Sequence, residues 1–138
     1  MIVVDTGPLV AIADADDQDH ARCVAALGEA SQPLIVPVTV LAEVCYLLER
    51  ELGTAAEAAF LQSFRDGTLT LAHITLDDLD RMAELVTTYA DLPLGAVDAS
   101  AVAIAERLGG TEIATLDRRH FTVVRPRHAV AFTLLPSE

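Results

Sequence analysis

Four carboxylates in this 138-residue sequence sit where a solvated surface acid is not expected. Asp5 ends the apolar run Ile2-Val3-Val4, and Asp117 ends Ile113-Ala114-Thr115-Leu116. Each has a hydroxyl close by, Thr6 after the first and Thr115 before the second. Glu43 lies inside the apolar stretch Val40-Leu41-Ala42-Glu43-Val44-Cys45-Tyr46-Leu47-Leu48, and Asp98 shares a helical face with Ala101, Val102 and Ala105. Each has an ordinary explanation on its own. An Asp after a strand is a common helix N-cap, and an acid on an apolar face can be satisfied by a backbone N–H or an Arg. Together they fit one site. Carboxylates within ~5 Å of one another repel by about 3 kcal/mol per pair at an effective dielectric of ~20, so convergence requires a cation or raised pKa values. Oxygen ligands with neither Cys nor His suit Mg²⁺ or Mn²⁺. Such a site supports phosphodiester hydrolysis, where divalent ions activate water and neutralise charge on the phosphate and leaving oxygen.

Positioning these acids requires a layered α/β fold. Apolar runs alternate with amphipathic stretches. Strands are expected at Ile2–Val4, Leu34–Val36, Leu69–Ala72, Ile113–Leu116 and within Ala131–Leu135. Helices are expected at Pro8–Ala13, Asp17–Glu29 (with Ala21, Val24, Ala25 and Gly28 on one side), Val38–Leu52 and Ala96–Leu108. Two more helices should open on capping-box spacing, at Thr54-Ala55-Ala56-Glu57 and at Thr75-Leu76-Asp77-Asp78. The second carries Leu76, Leu79, Met82, Ala83, Val86 and Ala90 at helical spacing. Strands separated by helices imply parallel pairing with right-handed crossovers. In such sheets ligands gather at the carboxyl ends of the strands, where Asp5 and Asp117 fall.

Composition narrows the function classes. Hydrophobic residues make up 52%, which excludes an intrinsically disordered chain despite a net charge of -12. The length suggests one domain, residues 1–138. No apolar stretch approaches the ~18 residues of a membrane span, and no secretory signal pattern opens the sequence. Cys23 and Cys45 lie in helical patterns, as expected of reduced thiols in the cytoplasm. A pI near 4.5 argues against broad nucleic-acid binding. All nine basic residues are Arg. Four of them, Arg118, Arg119, Arg125 and Arg127, adjoin Asp117 and could grip phosphates or be plain surface charge.

The ordered set Ile2-Val3-Val4-Asp5-Thr6, Ala42-Glu43, Val97-Asp98-Ala99 and Ala114-Thr115-Leu116-Asp117-Arg118-Arg119-His120-Phe121 resembles a PIN domain, and in particular VapC toxins of bacterial toxin–antitoxin pairs. The resemblance spans essentially the whole chain. It implies a three-layer α/β/α fold with a parallel sheet of about four or five strands. It also implies Asp5, Glu43, Asp98 and Asp117 as an acidic metal-binding and catalytic quartet, with Thr6 and Thr115 as supporting hydroxyls. The activity it implies is Mg²⁺-dependent cleavage of transfer RNA or ribosomal RNA, with Mn²⁺ as a substitute, leaving a 5′-phosphate and a 3′-hydroxyl. The partners it implies are a VapB-type antitoxin and a second copy in a homodimer.

Two other readings compete. An α/β phosphatase or phosphotransfer domain also places Asp at strand ends. A haloacid-dehalogenase-type site, however, needs a second Asp two residues after the first, where this chain has Gly7, and it relies on a Lys that this chain lacks. A Lys-bearing phosphate loop is likewise absent. A non-catalytic RNA- or protein-binding module would leave the four acids without a purpose. His120 is expected to be a surface or packing residue, since a metal-activated water does not require it. The helix Val38–Leu52 is expected to be mainly core, part of it offering a groove for an antitoxin helix.

Overall fold

The computed structural model describes residues 1–137; Glu138, the last residue of the expected 1–138 unit, lies outside the described residues. Five strands form one parallel sheet: β1 (Ile2–Val4), β2 (Leu34–Pro37), β3 (Thr70–Ala72), β4 (Glu112–Ala114) and β5 (Thr133–Leu135). Their order across the sheet is β3-β2-β1-β4-β5, and every pairing is parallel. The helices are α1 (Thr6–Ala13), α2 (His20–Gly28), α3 (Val38–Leu52), α4 (Thr54–Gln62), α5 (Leu76–Thr88), α6 (Ala96–Leu108) and α7 (Arg118–Val123). The expected α/β/α class is borne out. None of these helices is long and apolar enough to cross a membrane.

The three layers follow from the two-residue period of the strands. Ile2, Val4, Val36 and Ala114 face one way and pack with Leu9, Leu27, Val40, Val44, Leu48 and Phe60 from α1 to α4. Val3, Ile35, Ile113 and Leu134 face the other way and pack with Met82, Leu85, Val102, Ile104 and Phe121 from α5 to α7. From β1 the chain proceeds to β2 on one side, whereas β4 leads to β5 on the other. The topology therefore reverses between β1 and β4. That is where an open parallel sheet forms a crevice at its carboxyl edge.

Two helices are read correctly to the residue from sequence. α3 follows β2 without a loop, because Pro37 ends the strand in extended geometry (φ -58°, ψ 144°). α6 runs from Gly95 at its N-cap to Gly109, whose left-handed conformation (φ 76°) closes it.

Several local expectations are corrected. The predicted face of α2 is exposed at Ala21, Val24, Ala25 and Gly28; Cys23 and Leu27 are buried instead, one turn apart. The counted face consists mostly of small residues, which remove little area from water. The Thr54 box does not form. Only Gly53 separates α3 from α4, so Gly53 takes the N-cap position (φ 96°) and Thr54 is already helical. On α5 the Thr75–Asp78 box does form, with both reciprocal bonds at 3.0 Å. Yet the buried stripe there is Asp78, Met82 and Leu85, while Leu76 is 80% exposed. Asp78 reaches inward because Arg107 of α6 donates Nε to both of its carboxylate oxygens at 3.1 Å. Arg81 and Glu106 add a second, two-pronged pair between the same helices at 2.8 and 2.9 Å. Finally, β4 stops at Ala114, and a helix not expected from sequence, α7, begins at Arg118.

These assignments make a contrast on one helix. Asp78→Ala should cost about 2–4 kcal/mol by urea denaturation, from a lost cap and an unpaired Arg107. Leu76→Ser, two residues away, should stay within about 0.5 kcal/mol. Equal costs at the two positions would contradict the observed helix face.

Candidate active site

All four acids line one open cleft of about 710 Å³ at the carboxyl edge of β1 and β4. Thr6, Gly7, Leu116 and His120 share its wall, and Pro93, Gly95, Ala96 and Val97 form a rim before and within α6. Asp5 leaves the end of β1 at the N-cap position of α1, but its side chain makes no capping bond. Its carboxylate Oδ2 instead accepts the Thr115 hydroxyl at 2.9 Å. The Thr115 Oγ1 in turn accepts the Asp117 backbone N–H at 3.0 Å. One buried threonine therefore orients the first and last acids together. Asp117 stands at the N-cap position of α7, also without a side-chain cap bond. Capping, the ordinary explanation for both aspartates, does not hold.

Glu43 is exposed and reaches the cleft from the second turn of α3. Asp98 enters from the first turn of α6, where the helix dipole favours an anion. A hydroxyl pair couples the two helices. The Ser100 Oγ donates to the Val97 carbonyl at 2.6 Å, which leaves Thr39 to donate to Ser100 at 2.5 Å. Thr39 lies one turn before Glu43, and Ser100 lies two residues after Asp98, so this bond fixes the spacing of the helices that carry them.

Burial pushes the Asp5 carboxyl up to about 6, and the charges of Asp98 and Glu43 add to that rise; the Thr6 backbone and the Thr115 hydroxyl pull it back. Burial also raises Asp98, with Asp117 and Glu43 in the same direction and His120 opposing. The repulsion expected of convergent acids is thus present. A cation-binding cleft fits the residues in a second respect. Asp98, Asp117 and His120 each direct one ligand atom to within 4.8 Å of the others.

His120 is the residue that sequence reasoning undervalued. Its Nδ1 lies 2.6 Å from the Asp98 Oδ2 and 3.1 Å from the Asp117 Oδ2. The signal was its three-residue spacing from Asp117, informative only once α7 is known to be a helix. The four arginines do not gather into one patch. Arg119 donates to the Leu92 carbonyl beside the rim at 3.1 Å, and Arg118 donates to the Pro136 carbonyl at 2.8 Å. Arg125 bonds the Thr122 carbonyl at 2.7 Å, and Arg127 pairs with Glu84 of α5. A second, apolar groove is lined by Leu9, Ile12, Val24, Leu27, Ala56 and Phe60, with no α3 residue and no titratable group on its wall.

Comparison with known proteins agrees with this arrangement. Residues 2–125 match the PIN domain family model. The chain is 36% identical over 135 residues to Ribonuclease VapC26 of Mycobacterium tuberculosis, covering 98% of this chain and 100% of that one. It therefore belongs to the PIN domain family and, within it, to the VapC ribonucleases. Among solved structures it superposes on M. tuberculosis VapC20, a sarcin–ricin loop cleaving toxin, with a TM-score of 0.77, 23% identity and coverage of 82% and 87%. VapBC2 from Rickettsia felis, bound to a DNA fragment from its promoter, gives a TM-score of 0.69 at 16% identity, covering 97% and 98%. FitAcB from Neisseria gonorrhoeae gives 0.67 at 17%, covering 88% and 91%. These structural likenesses bear on the fold.

The raised Asp5 carboxyl has a consequence for the metal-free protein. The unfolded group titrates near 3.8 and the folded one near 6, so its ionisation opposes folding. The penalty is fully present above about pH 6 and absent below about pH 4. In EDTA, Asp5→Asn should therefore unfold at higher denaturant than wild type at pH 7.5, by on the order of 3 kcal/mol. The gap should close as pH falls through 6 towards 4. A gap independent of pH would contradict the assignment.

Proposed function

We propose that this chain acts as a single PIN-like unit that cleaves RNA endonucleolytically at a specific site in the presence of Mg²⁺, as the toxin of a toxin–antitoxin pair in the cytoplasm. The observation that carries the reading is the convergence of Asp5, Glu43, Asp98 and Asp117 in one cleft with neither aspartate spent on a helix cap. Four acids facing a phosphodiester would repel it unless a cation intervenes. These residues would hold one or two Mg²⁺ directly or through water, with Mn²⁺ able to substitute. When bound, the ion supplies charge neutralisation at the scissile phosphate and a more acidic water. Thr115 keeps Asp5 and Asp117 oriented, and Thr6 supports the same wall. Water attacks phosphorus in line and the bond to the 3′-oxygen breaks, leaving a 5′-phosphate and a 3′-hydroxyl.

Transfer RNA or ribosomal RNA is the proposed substrate class, a reading that membership among VapC ribonucleases supports. Arg118, Arg119, Arg125 and Arg127 are the proposed phosphate contacts. Arg119, beside the rim, is the best placed of them. A VapB-type antitoxin is the proposed partner, an apolar segment of it filling the groove between α1, α2 and α4, and the toxin itself is proposed to be a homodimer.

The test is sequencing of RNA ends after incubation with intact ribosomes and with total transfer RNA. Discrete new 5′-phosphate ends should appear with Mg²⁺, vanish in EDTA, and fall at least ~100-fold with Asp98→Asn. Ends that persist in EDTA or in the variant would overturn the proposed chemistry.

A further inference from the structure

The cleft holds one group that a site built only of oxygen ligands does not need. His120 places Nδ1 between Asp98 and Asp117, at 2.6 and 3.1 Å from one oxygen of each. Two donor atoms bound at right angles to one ion at 2.1 Å lie about 3 Å apart. The His120–Asp117 separation already has that value, and the His120–Asp98 separation needs only a few tenths of an ångström of opening. The three ligand atoms lie within 4.8 Å of one another, so they can share a single ion. No hydrogen bond among the described residues uses the His120 Nε2. Without an ion, Nδ1–H donates to the Asp98 carboxylate; because Nε2 is unengaged, the ring can carry its proton there instead and offer the Nδ1 lone pair when an ion lies between them. The other histidines in hydrogen bonds are engaged elsewhere, His20 with the Ala11 carbonyl and His128 with the Gly110 carbonyl.

We infer that His120 is itself a ligand of the divalent ion, so that Asp98, Asp117 and His120 form a mixed carboxylate–imidazole site with a built-in preference for ions that accept nitrogen, Mn²⁺ above Mg²⁺. Imidazole suits transition metals, whereas Mg²⁺ favours oxygen and water. The inference rests on the cleft being an ion site. It adds a ligand to the four acids and a physical basis for ion choice.

The test uses the metal-free full chain with Mn²⁺ and Mg²⁺ as probes. Electron spin-echo measurements on the Mn²⁺ complex should show coupling to an imidazole nitrogen in wild type, and His120→Gln should lose it. By calorimetry, His120→Gln should weaken Mn²⁺ binding about tenfold or more while changing Mg²⁺ binding by less than about threefold. The thermal melt of the metal-free variant checks that it folds, and the wild-type spin-echo signal stands without any variant. Mn²⁺ bound with no nitrogen coupling would overturn the inference while leaving the ion site intact. So would an equal loss of both ions in His120→Gln, which would make the residue a positioner of the carboxylates only. No binding of either ion to wild type would overturn the inference and the proposed activity together.

Discussion

Burying Asp5 beside Asp98 and Glu43 is the constraint to which the rest of the molecule answers. Desolvation and like charge both disfavour the ionised form. A core built for stability alone would place an apolar side chain there. The fold instead surrounds the carboxylate with devices that hold it: the Thr115 hydroxyl, the backbone start of α1 and a cleft open to solvent on one side. The strain is tolerable because it is local. Two apolar layers, one on each face of the sheet, supply the stability that the crevice gives up.

The surrounding elements position charges that repel. α3 follows β2 with no loop, so Glu43 has no freedom to drift from the sheet edge. α6 is tied to α3 by the Thr39–Ser100 bond near the acids. At its other end it is tied to α5 through Arg107–Asp78 and Arg81–Glu106. α7 is short, but it carries Asp117 and His120 into the cleft and anchors itself with buried Phe121. Only β1 and β4 meet at the topological switch point, which is why acids distant in sequence share one space.

Much of this was legible in the sequence for physical reasons. The buried strands are continuous apolar runs, and α3 and α6 end at glycines. The four acids stand out because a carboxylate among Val, Leu and Ala demands an explanation. What was illegible depended on tertiary context. Leu76 and Leu79 have the spacing of a core stripe, yet Asp78 is the buried residue, because Arg107 on another helix neutralises it. Thr54 has the spacing of a cap, yet the tight α3–α4 junction hands that position to Gly53. His120 looked unremarkable because six helical residues after a strand leave almost no periodic signal. The arginine cluster is contiguous in sequence but diverges in space, since a helix and the turns after it point its members in different directions.

The proposed role of a divalent cation is to relieve the repulsion among these carboxylates. Its most direct test is a thermal melt of the protein at pH 7.5 with and without Mg²⁺ or Mn²⁺, in wild type and in Asp98→Asn. At an ion concentration about 100 times the dissociation constant, wild type should gain roughly 5–10 °C, and the variant less than half of that at the same concentration. No gain in wild type, or an equal gain in both proteins, would contradict it.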